Sequence, residues 1–292
     1  MAGNPYSPAI ALEDVVKHFG DQPVLNGVNL VVPQGVVYGI SGHNGAGKSM
    51  LLRIISGLVR PTAGQVRVFG AAIGSDVEFP PMTGVMIDRS GFLPQYSGLR
   101  NLQLLAMIRN QISQGEIAAV MQRVGLDPTD RRPVRTYSMG MRQRLGLAQA
   151  ITERPRLLLL DEPMNAIDPD GRQSIYASLR ELQAEGITIL LTSHSAEELN
   201  ALCDRVFVMR NGSLPPAWIA SRLPANIPDA SFVTRQYVAL RRCAIVVRRS
   251  NATALRVTHP SLVTRPTCHR QRSTCRRASS VWGRAPTCTT CG

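Results

Sequence analysis

Apolar residues alternate with polar ones in the first third of the chain, a pattern typical of strands with one buried face. The alternation is found at 10–16 and 28–32, and short apolar segments follow at 36–41, 65–69 and 84–87. Gly-Asp and Pro-Gln-Gly turns separate the first three segments. This region is therefore predicted to be rich in β-strands.

Short, mainly apolar runs mark the second half of the chain. They occupy 156–162 (RLLLLDE), 187–193 (ITILLTS) and 205–209 (RVFVM), and such runs are typical of parallel strands buried on both faces. Helices that end at a glycine are predicted at 47–57 and at about 170–185. Strands that alternate with helices favour an α/β fold with a parallel core sheet, to which the early strands add an antiparallel subdomain.

A stretch with helical periodicity, from about 98 to 152, interrupts this alternation. Ser113 and Glu116 within it have the spacing of a capping box. We therefore predict a domain over 8–212, with a helical subdomain at about 90–152 inserted into the α/β core.

Charge and cysteine divide the chain into a body and a tail. Residues 1–212 hold 20 of the 33 Lys and Arg and 19 of the 20 Asp and Glu, a net charge of +1, whereas 213–292 carry a net charge of +12. The body has one cysteine, Cys203, which suits a reducing cytosol. The chain begins without a signal-peptide pattern, and no stretch approaches 18 apolar residues. These features predict a cytoplasmic protein, soluble or peripheral on a membrane.

The tail is predicted as a short extension at 213–240, with a helix at 232–240, followed by a basic segment at 241–292 that we expect to be disordered. One interpretation of this segment is a basic arm for anionic lipid or nucleic acid. Another is a zinc site, since Cys288 and Cys291 have C-x₂-C spacing, with upstream candidates Cys268, His269 and Cys275. The favoured interpretation is a reading-frame shift, because acids vanish abruptly and the chain has 31 Arg against two Lys.

The sequence GHNGAGKS at 42–49 has the P-loop pattern G-x-x-x-x-G-K-[ST] between a predicted strand and a predicted helix. Its glycines allow successive backbone N–H groups to point at phosphate oxygens, and the helix N-terminus adds the positive end of its dipole. Lys48 is expected to reach the outer phosphates and Ser49 to bind Mg²⁺. The predicted nucleotide-binding residues of this loop are Gly42, His43, Asn44, Gly45, Ala46, Gly47, Lys48, Ser49 and Met50.

Two acids follow the leucine run at 157–160. Asp161, at the end of a buried strand, is predicted to hold the metal or its water shell, and Glu162 to orient or deprotonate an attacking water. With the P-loop, they complete the predicted fold class. It is an α/β fold with a P-loop NTPase parallel-sheet core, an N-terminal antiparallel β subdomain, a helical insertion and a disordered basic C-terminal tail.

The segment YSMGMRQRLGLAQA at 137–150 resembles the signature loop of ATP-binding-cassette (ABC) ATPases, which is usually Leu-Ser-Gly-Gly-Gln. Ser138 and Gly140 match that pattern, and the other three positions differ. Ser138 is also a good N-cap for the helix that follows. Gln143 and Arg144 are interpreted as helix-face residues without a role. In the family this loop contacts the γ-phosphate held by the P-loop of the partner subunit.

The resemblance extends from about residue 9 to 212 and assigns three more residues. Phe19 resembles the aromatic residue that stacks on adenine; the alternative is a core aromatic at a strand end. Asp168 in MNAIDPDG resembles the acid of the loop that crosses the dimer. His194 in LTSHSAEE resembles the switch histidine that senses the γ-phosphate, and it joins Lys48 and Glu162 in the predicted catalytic group.

The segment GVMIDRSGFLPQYSGLRNL at 84–102 offers two candidates for a position near Mg²⁺ that ABC ATPases normally fill with glutamine. In the family a glycine stands four residues before this position, and an Asn-Leu pair stands roughly 13 residues after it. Asp88 lies four residues after Gly84 and thirteen before Asn101, whereas Gln95 lies only six before Asn101. Asp88 is therefore predicted to occupy the position and to join Ser49 and Asp161 at the metal, either as a direct Mg²⁺ ligand or through a water molecule.

The resemblance implies ATP binding and hydrolysis with Mg²⁺ in a head-to-tail homodimer or heterodimer. It points to ATPase subunits of bacterial bacitracin and lantibiotic exporters, on the residues NGAGKSMLLRIISGL, GFLPQYSGLRNL, YSMGMRQRLGLAQAI and DEPMNAID. The transmembrane permease would be a separate chain, which would place this subunit at the inner face of the cell membrane with no specific nucleic-acid partner.

Two other functions fit the sequence less well. A non-transport ABC ATPase of translation or DNA repair is disfavoured by the single P-loop, the single signature and the lack of sustained heptads. A switch GTPase is disfavoured because the chain lacks an Asn-Lys-x-Asp guanine-binding motif.

Overall fold

The computed structural model describes residues 8–88, 91–109, 111–214 and 219–220, and the statements below concern these ranges. The strands within them are β1 (Ile10–Phe19), β2 (Gln22–Val32), β3 (Val37–Ser41), β4 (Ala63–Val68), β5 (Ala71–Ala72), β6 (Thr83–Met86), β7 (Leu157–Asp161), β8 (Thr188–Thr192), β9 (Arg205–Val208) and β10 (Ile219–Ala220). The α-helices are α1 (Lys48–Ile55), α2 (Gly98–Arg109), α3 (Gln114–Arg123), α4 (Met139–Thr152), α5 (Pro169–Ala184) and α6 (Ala196–Leu202).

The early strands form an antiparallel sheet in the order β2-β1-β4-β5, as predicted. β1 and β2 pair as a hairpin from Ile10 opposite Val32 to Phe19 opposite Gln22. Both strands are longer than the alternating segments that predicted them. The reason is the hairpin itself, because cross-strand hydrogen bonds continue through polar residues near its tip that carry no alternating pattern.

The second sheet has the strand order β10-β9-β3-β8-β7-β6. Its strands β9, β3, β8, β7 and β6 are parallel to their neighbours, and β10 pairs with β9 in the antiparallel direction. The predicted parallel α/β core is therefore confirmed. In such sheets ligands bind beyond the carboxyl ends of the strands. Here the P-loop follows the carboxyl end of β3. Asp161 ends β7, and Thr192, its partner in register, ends β8.

The leucine run of β7 explains how the sheet separates two hydrophobic cores. Leu158 and Leu160 pack into a cluster with residues of the helical insertion, α5 and α6. Leu157 and Leu159 pack into the other cluster, with α1 and the antiparallel sheet. All four side chains are fully buried. Because successive side chains point to opposite faces of a strand, a strand covered on both sides needs an uninterrupted apolar run.

The predicted helical stretch is confirmed as three helices, α2, α3 and α4. The capping box at the start of α3 is present: the Glu116 N–H donates to Ser113 Oγ at 3.3 Å, and the Ser113 N–H donates to Glu116 Oε2 at 2.8 Å. The insertion shares its core with the parallel sheet through Leu102, Met121 and Leu145. The limits 8–212 and 90–152 stay predictions.

Part of the chain lies outside the described residues. Of the extension at 213–240, only 213, 214, 219 and 220 are described, and the predicted helix at 232–240 and the segment 241–292 are not. Within the described ranges, none of the helices has both the length and the apolar character that crossing a bilayer requires.

Candidate functional site

The predicted P-loop connects β3 to α1. Gly45 and Gly47 have φ values of 82° and 105°, which glycine adopts without the strain that a side chain would add. A Cβ on Gly47 would also lie 2.9 Å from Leu25 Cδ2 and 3.0 Å from the Val24 carbonyl oxygen, so β2 closely abuts the loop. α1 begins at Lys48 without a side-chain cap, which leaves its first backbone N–H groups available to an anion.

The ammonium group of Lys48 is held by the loop itself. Only 6% of the side chain is exposed, and Nζ donates to the carbonyl oxygens of Gly42 at 2.7 Å and His43 at 3.3 Å. These carbonyls satisfy a buried charge that a phosphate would satisfy more strongly. The His43 ring is exposed and lies with Nδ1 2.8 Å from the Asn44 carbonyl oxygen.

Thr192 joins the two acids that follow the leucine run. Its hydroxyl donates to Asp161 Oδ1 at 2.5 Å and accepts the Glu162 N–H at 3.0 Å. The side chain is fully buried, and its single hydroxyl therefore fixes the orientation of Asp161 and the backbone of Glu162 together. Sequence reasoning missed Thr192. The signal in the sequence was a threonine near the end of the apolar run at 187–193, which is the next such run after the one that ends in Asp161.

The Glu162 carboxylate lies between two other predicted catalytic residues. Its Oε1 is 3.9 Å from Lys48 Nζ, and its Oε2 is 3.4 Å from His194 Nδ1. The Glu162 backbone has a φ of 46°, a region that side-chain-bearing residues rarely occupy and that often marks functional sites. The fold thus brings together the three residues predicted as the catalytic group.

Two residues of α4 that had been given no role hold the loops of this site. Gln143 Nε2 donates to the Glu162 carbonyl oxygen at 2.9 Å, so the backbone of Glu162 is held from both sides. Arg144 Nη2 lies 3.5 Å from Asp168 Oδ1, and its Nη1 donates to the Gly125 carbonyl oxygen at 3.2 Å. The interpretation of both as helix-face residues without a role was wrong, because their partners are distant in sequence.

Asp168 is the N-cap of α5. Its Oδ2 accepts the Gly171 N–H at 3.1 Å, and the Arg144 guanidinium lies beside its other oxygen. The hydrogen bond from the Gly171 backbone and, less strongly, the charge of Arg144 lower the pKa of Asp168 below its usual value. In the described chain this carboxylate therefore has structural partners, and its predicted nucleotide contact remains a prediction.

Ser138 is the N-cap of α4, as predicted, since its Oγ accepts the Met141 N–H at 3.1 Å. A Cβ on Gly140 would lie 3.0 Å from the Ala166 carbonyl oxygen, so the signature loop touches the loop that follows Glu162. Among the described residues, no hydrogen bond joins Ser138 or Gly140 to the P-loop.

Asp88 is held by Arg53 of α1, which sequence reasoning had not singled out. Arg53 Nε donates to Asp88 Oδ2 at 3.0 Å, and Arg53 Nη2 donates to Asp88 Oδ1 at 2.6 Å. Gln95, the competing candidate, lies in an exposed turn before α2. The two candidates thus occupy different environments, and only Asp88 follows directly on the parallel sheet.

Phe19 lies at the end of β1 with 52% of its surface exposed. Lys17 Nζ is 4.8 Å from the centroid of its ring, a cation–π distance. This exposure excludes the alternative of a core aromatic and leaves ring surface free for a base.

The chemistry of the site suits Mg²⁺, which prefers oxygen ligands and keeps several waters and substrate phosphates in its shell. Ser49, in the first turn of α1, and Asp161 offer a hydroxyl and a carboxylate. Within the described ranges no cluster of three or more His, Cys, Asp and Glu side chains is placed to hold a metal.

Solved structures share the fold of this chain. The dimeric ABC transporter cassette MJ0796 aligns with 74% of this chain and 100% of its own length, at 22% identity and a TM-score of 0.67. A second structure of MJ0796, a post-hydrolysis state bound to ADP and Pi, aligns with a TM-score of 0.66 at 21% identity. The described fold is that of an ATP-binding cassette.

Sequence relatives give the family. The ABC transporter family profile matches residues 25–165. The chain is 39% identical to the ABC transporter ATP-binding protein YybJ of Bacillus subtilis over 70% of this chain and 94% of that protein. It is 39% identical to the bacitracin transport ATP-binding protein BcrA of Enterococcus faecalis, over 70% of this chain and 67% of that protein. It is 33% identical to the lantibiotic transport ATP-binding protein SrtF of Streptococcus pyogenes, over 70% of this chain and 88% of that protein. The chain belongs to the ATP-binding subunits of ABC transporters, which are ATPases.

These relatives favour transport over the non-transport alternative, since each is named as an ATP-binding protein of a transporter.

Proposed function

We propose that this chain is the ATPase subunit of an exporter for an antibiotic, a peptide or a related small molecule, and that the membrane path lies on a separate subunit. The observation that supports hydrolysis most directly is the Glu162 carboxylate held between Lys48 and His194. Relatives named for bacitracin and lantibiotic transport support this class of substrate.

In this proposal the residues around Glu162 act by positioning and electrostatics. Lys48 exchanges the carbonyls of Gly42 and His43 for phosphate oxygens, which are charged and bind an ammonium more strongly. Glu162 orients the attacking water and accepts its proton. His194, whose Nδ1 lies near the same carboxylate, restrains the Glu162 side chain and is placed to contact the outer phosphate.

Ser49 and Asp161 are the residues proposed to hold Mg²⁺. The metal, when bound, neutralises charge on the phosphates. Thr192 orients Asp161 by donating to Oδ1, and a ligand held in this way keeps its geometry without the metal. Phe19 is proposed to stack on the adenine with its exposed ring.

The signature residues are proposed to act on the nucleotide of a second cassette. Ser138 and Gly140 have no hydrogen bond to the P-loop among the described residues, while Met139 beside them is 61% exposed. The start of α4 is therefore available to a partner. The proposed assembly is a homodimer or a heterodimer. In it, ATP lies between the P-loop of one subunit and the signature loop of the other.

An exposed apolar surface is proposed to bind the membrane subunit at the inner face of the membrane. Met107 and Ile108 on α2 are 65% and 79% exposed, and Met82 near β6 is 50% exposed. Between α2 and β6 runs a groove of about 670 Å³. Exposed apolar patches mark protein interaction sites, and a helix of the permease is proposed to contact these side chains.

The proposed function is tested by ATP hydrolysis of the purified chain and of Glu162→Gln. We expect turnover to fall by roughly 10²- to 10⁴-fold, as for loss of a general base, and the variant to accumulate as an ATP-bound dimer in size-exclusion chromatography. Glu78→Gln, at an exposed glutamate outside the site, serves as the control. A Glu162→Gln variant that remains monomeric with ATP would contradict the dimer, and unchanged turnover would contradict the role of Glu162.

A further inference from the structure

Arg53 and Asp88 form an ion pair that belongs neither to the P-loop nor to the two acids after β7. Besides the contacts from Nε to Oδ2 and from Nη2 to Oδ1, Arg53 Nη2 lies 2.7 Å from Asp88 Oδ2. One guanidinium therefore engages both oxygens of the carboxylate. This two-point geometry is available to arginine and not to lysine.

The pair joins two elements that border the proposed metal site. Arg53 lies one turn beyond Ser49 on α1, and residues i and i+4 share a helix face. Asp88 follows the end of β6, whose parallel neighbour β7 ends at Asp161. The pKa of Arg53 is raised mainly by its hydrogen bonds with Asp88 and to a smaller extent by the charge of Asp161. The guanidinium thus lies within electrostatic reach of both acids.

The backbone of Asp88 is held in an uncommon conformation, with a φ of 60°. Residues in the left-handed region need support from their surroundings, although aspartate tolerates it better than most. Arg53 supplies that support through the side chain. A guanidinium and a divalent cation compete for one carboxylate, because both draw on its lone pairs and repel each other.

We propose that Arg53 is a positioning residue for Asp88: it holds the carboxylate against α1 in the metal-free chain, and Asp88 leaves it for the metal when nucleotide and Mg²⁺ bind. The inference rests on the proposed function, since it takes the P-loop as the metal–nucleotide site. Arg53 thereby lowers the metal affinity of the site without itself contacting the nucleotide.

The test is Mn²⁺ binding to the full chain in the presence of a non-hydrolysable ATP analogue, read from the electron paramagnetic resonance signal of free Mn²⁺. Arg53→Gln removes the competitor, and we expect Mn²⁺ to bind roughly two- to fivefold more tightly, the range for a partly exposed ion pair. In the Asp88→Asn background the same substitution should change nothing. Arg53→Lys, which keeps the charge but loses the two-point contact, should give an intermediate gain.

Arg60→Gln is the matched control, because it removes one exposed positive charge seven residues away. The inference would be overturned if Arg53→Gln raised Mn²⁺ affinity equally in the Asp88→Asn background. It would also be overturned if Arg53→Gln left Mn²⁺ affinity unchanged while a fluorescent ATP analogue still bound; in both cases the proposed function would stand. Failure of the wild-type chain to bind that analogue would overturn the proposed function and the inference with it. Arg53 and Asp88 are 33% and 55% exposed, so folding of the variants is expected to be preserved.

Discussion

The hydroxyl of Thr192 donates a 2.5 Å hydrogen bond to Oδ1 of Asp161 from the neighbouring parallel strand. The same hydroxyl accepts the N–H of Glu162 at 3.0 Å. One buried oxygen thus fixes the proposed metal ligand and the proposed catalytic base relative to each other. This linkage sets the geometry of the site before any nucleotide arrives.

Thr192→Val should remove this linkage while keeping the shape of the side chain. We expect kcat/KM for ATP to fall by about 10- to 100-fold, the usual effect of losing a group that orients a metal ligand. The free energy of unfolding should fall by about 1–3 kcal/mol, because Asp161 and the Glu162 amide lose a buried partner. Urea denaturation and steady-state kinetics measure the two effects.

Thr188→Val provides the matched control at the other end of β8. Thr188 is buried and its hydroxyl accepts the Gly35 N–H at 2.9 Å, so its loss should cost a similar amount of stability. Turnover by the folded variant should stay at the wild-type level. Equal losses of activity in the two variants would show that Thr192 acts through stability alone.

His194→Ala should reduce turnover by about a hundredfold or more, with little change in the affinity for ATP. The reason is that His194 lies beside the Glu162 carboxylate and is 66% exposed toward solvent, so it contributes to the reaction more than to the fold. Single-turnover kinetics and equilibrium binding of a fluorescent ATP separate the two quantities. His18→Ala, at an exposed histidine on β1, should leave both unchanged.

Asp88→Ala should impair hydrolysis or its coupling to transport, about tenfold if the carboxylate serves the metal. Gln95→Ala should leave ATP turnover within about twofold of wild type, as for an exposed surface position. Turnover measured over a range of Mg²⁺ concentrations checks both variants. If Gln95→Ala were the damaging change, the assignment of Asp88 by spacing would be wrong.

Asp168 should make the stability of the chain depend on pH. Its pKa is lowered in the folded state, so its contribution is present above the unfolded value and is lost as the pH falls through the folded one. The difference in unfolding free energy between wild type and Asp168→Ala should therefore be full at neutral pH and shrink below about pH 4. Urea denaturation from pH 7 to pH 3 measures it, and a difference that grows toward acid would contradict the assignment.

The sequence by itself determined the features that depend on local spacing. The P-loop between β3 and α1, the caps at Ser113 and Ser138, and the buried strand ending in Asp161 were all predicted. Each of these features depends only on residues that are near one another in sequence, or on the alternation of side chains between the two faces of a strand. Both can be recognised in a single amino-acid sequence. The family resemblance rested on the same short motifs.

Tertiary structure decided the partners of those residues. Thr192 with Asp161, Gln143 with Glu162, and Arg53 with Asp88 are separated by 31, 19 and 35 positions. No local period relates such residues, because their contacts depend on strand order and on how α1 and α4 lie against the sheet. The sequence therefore identified Asp161, Glu162 and Asp88 as candidates, and only the fold revealed the residues that hold them in place.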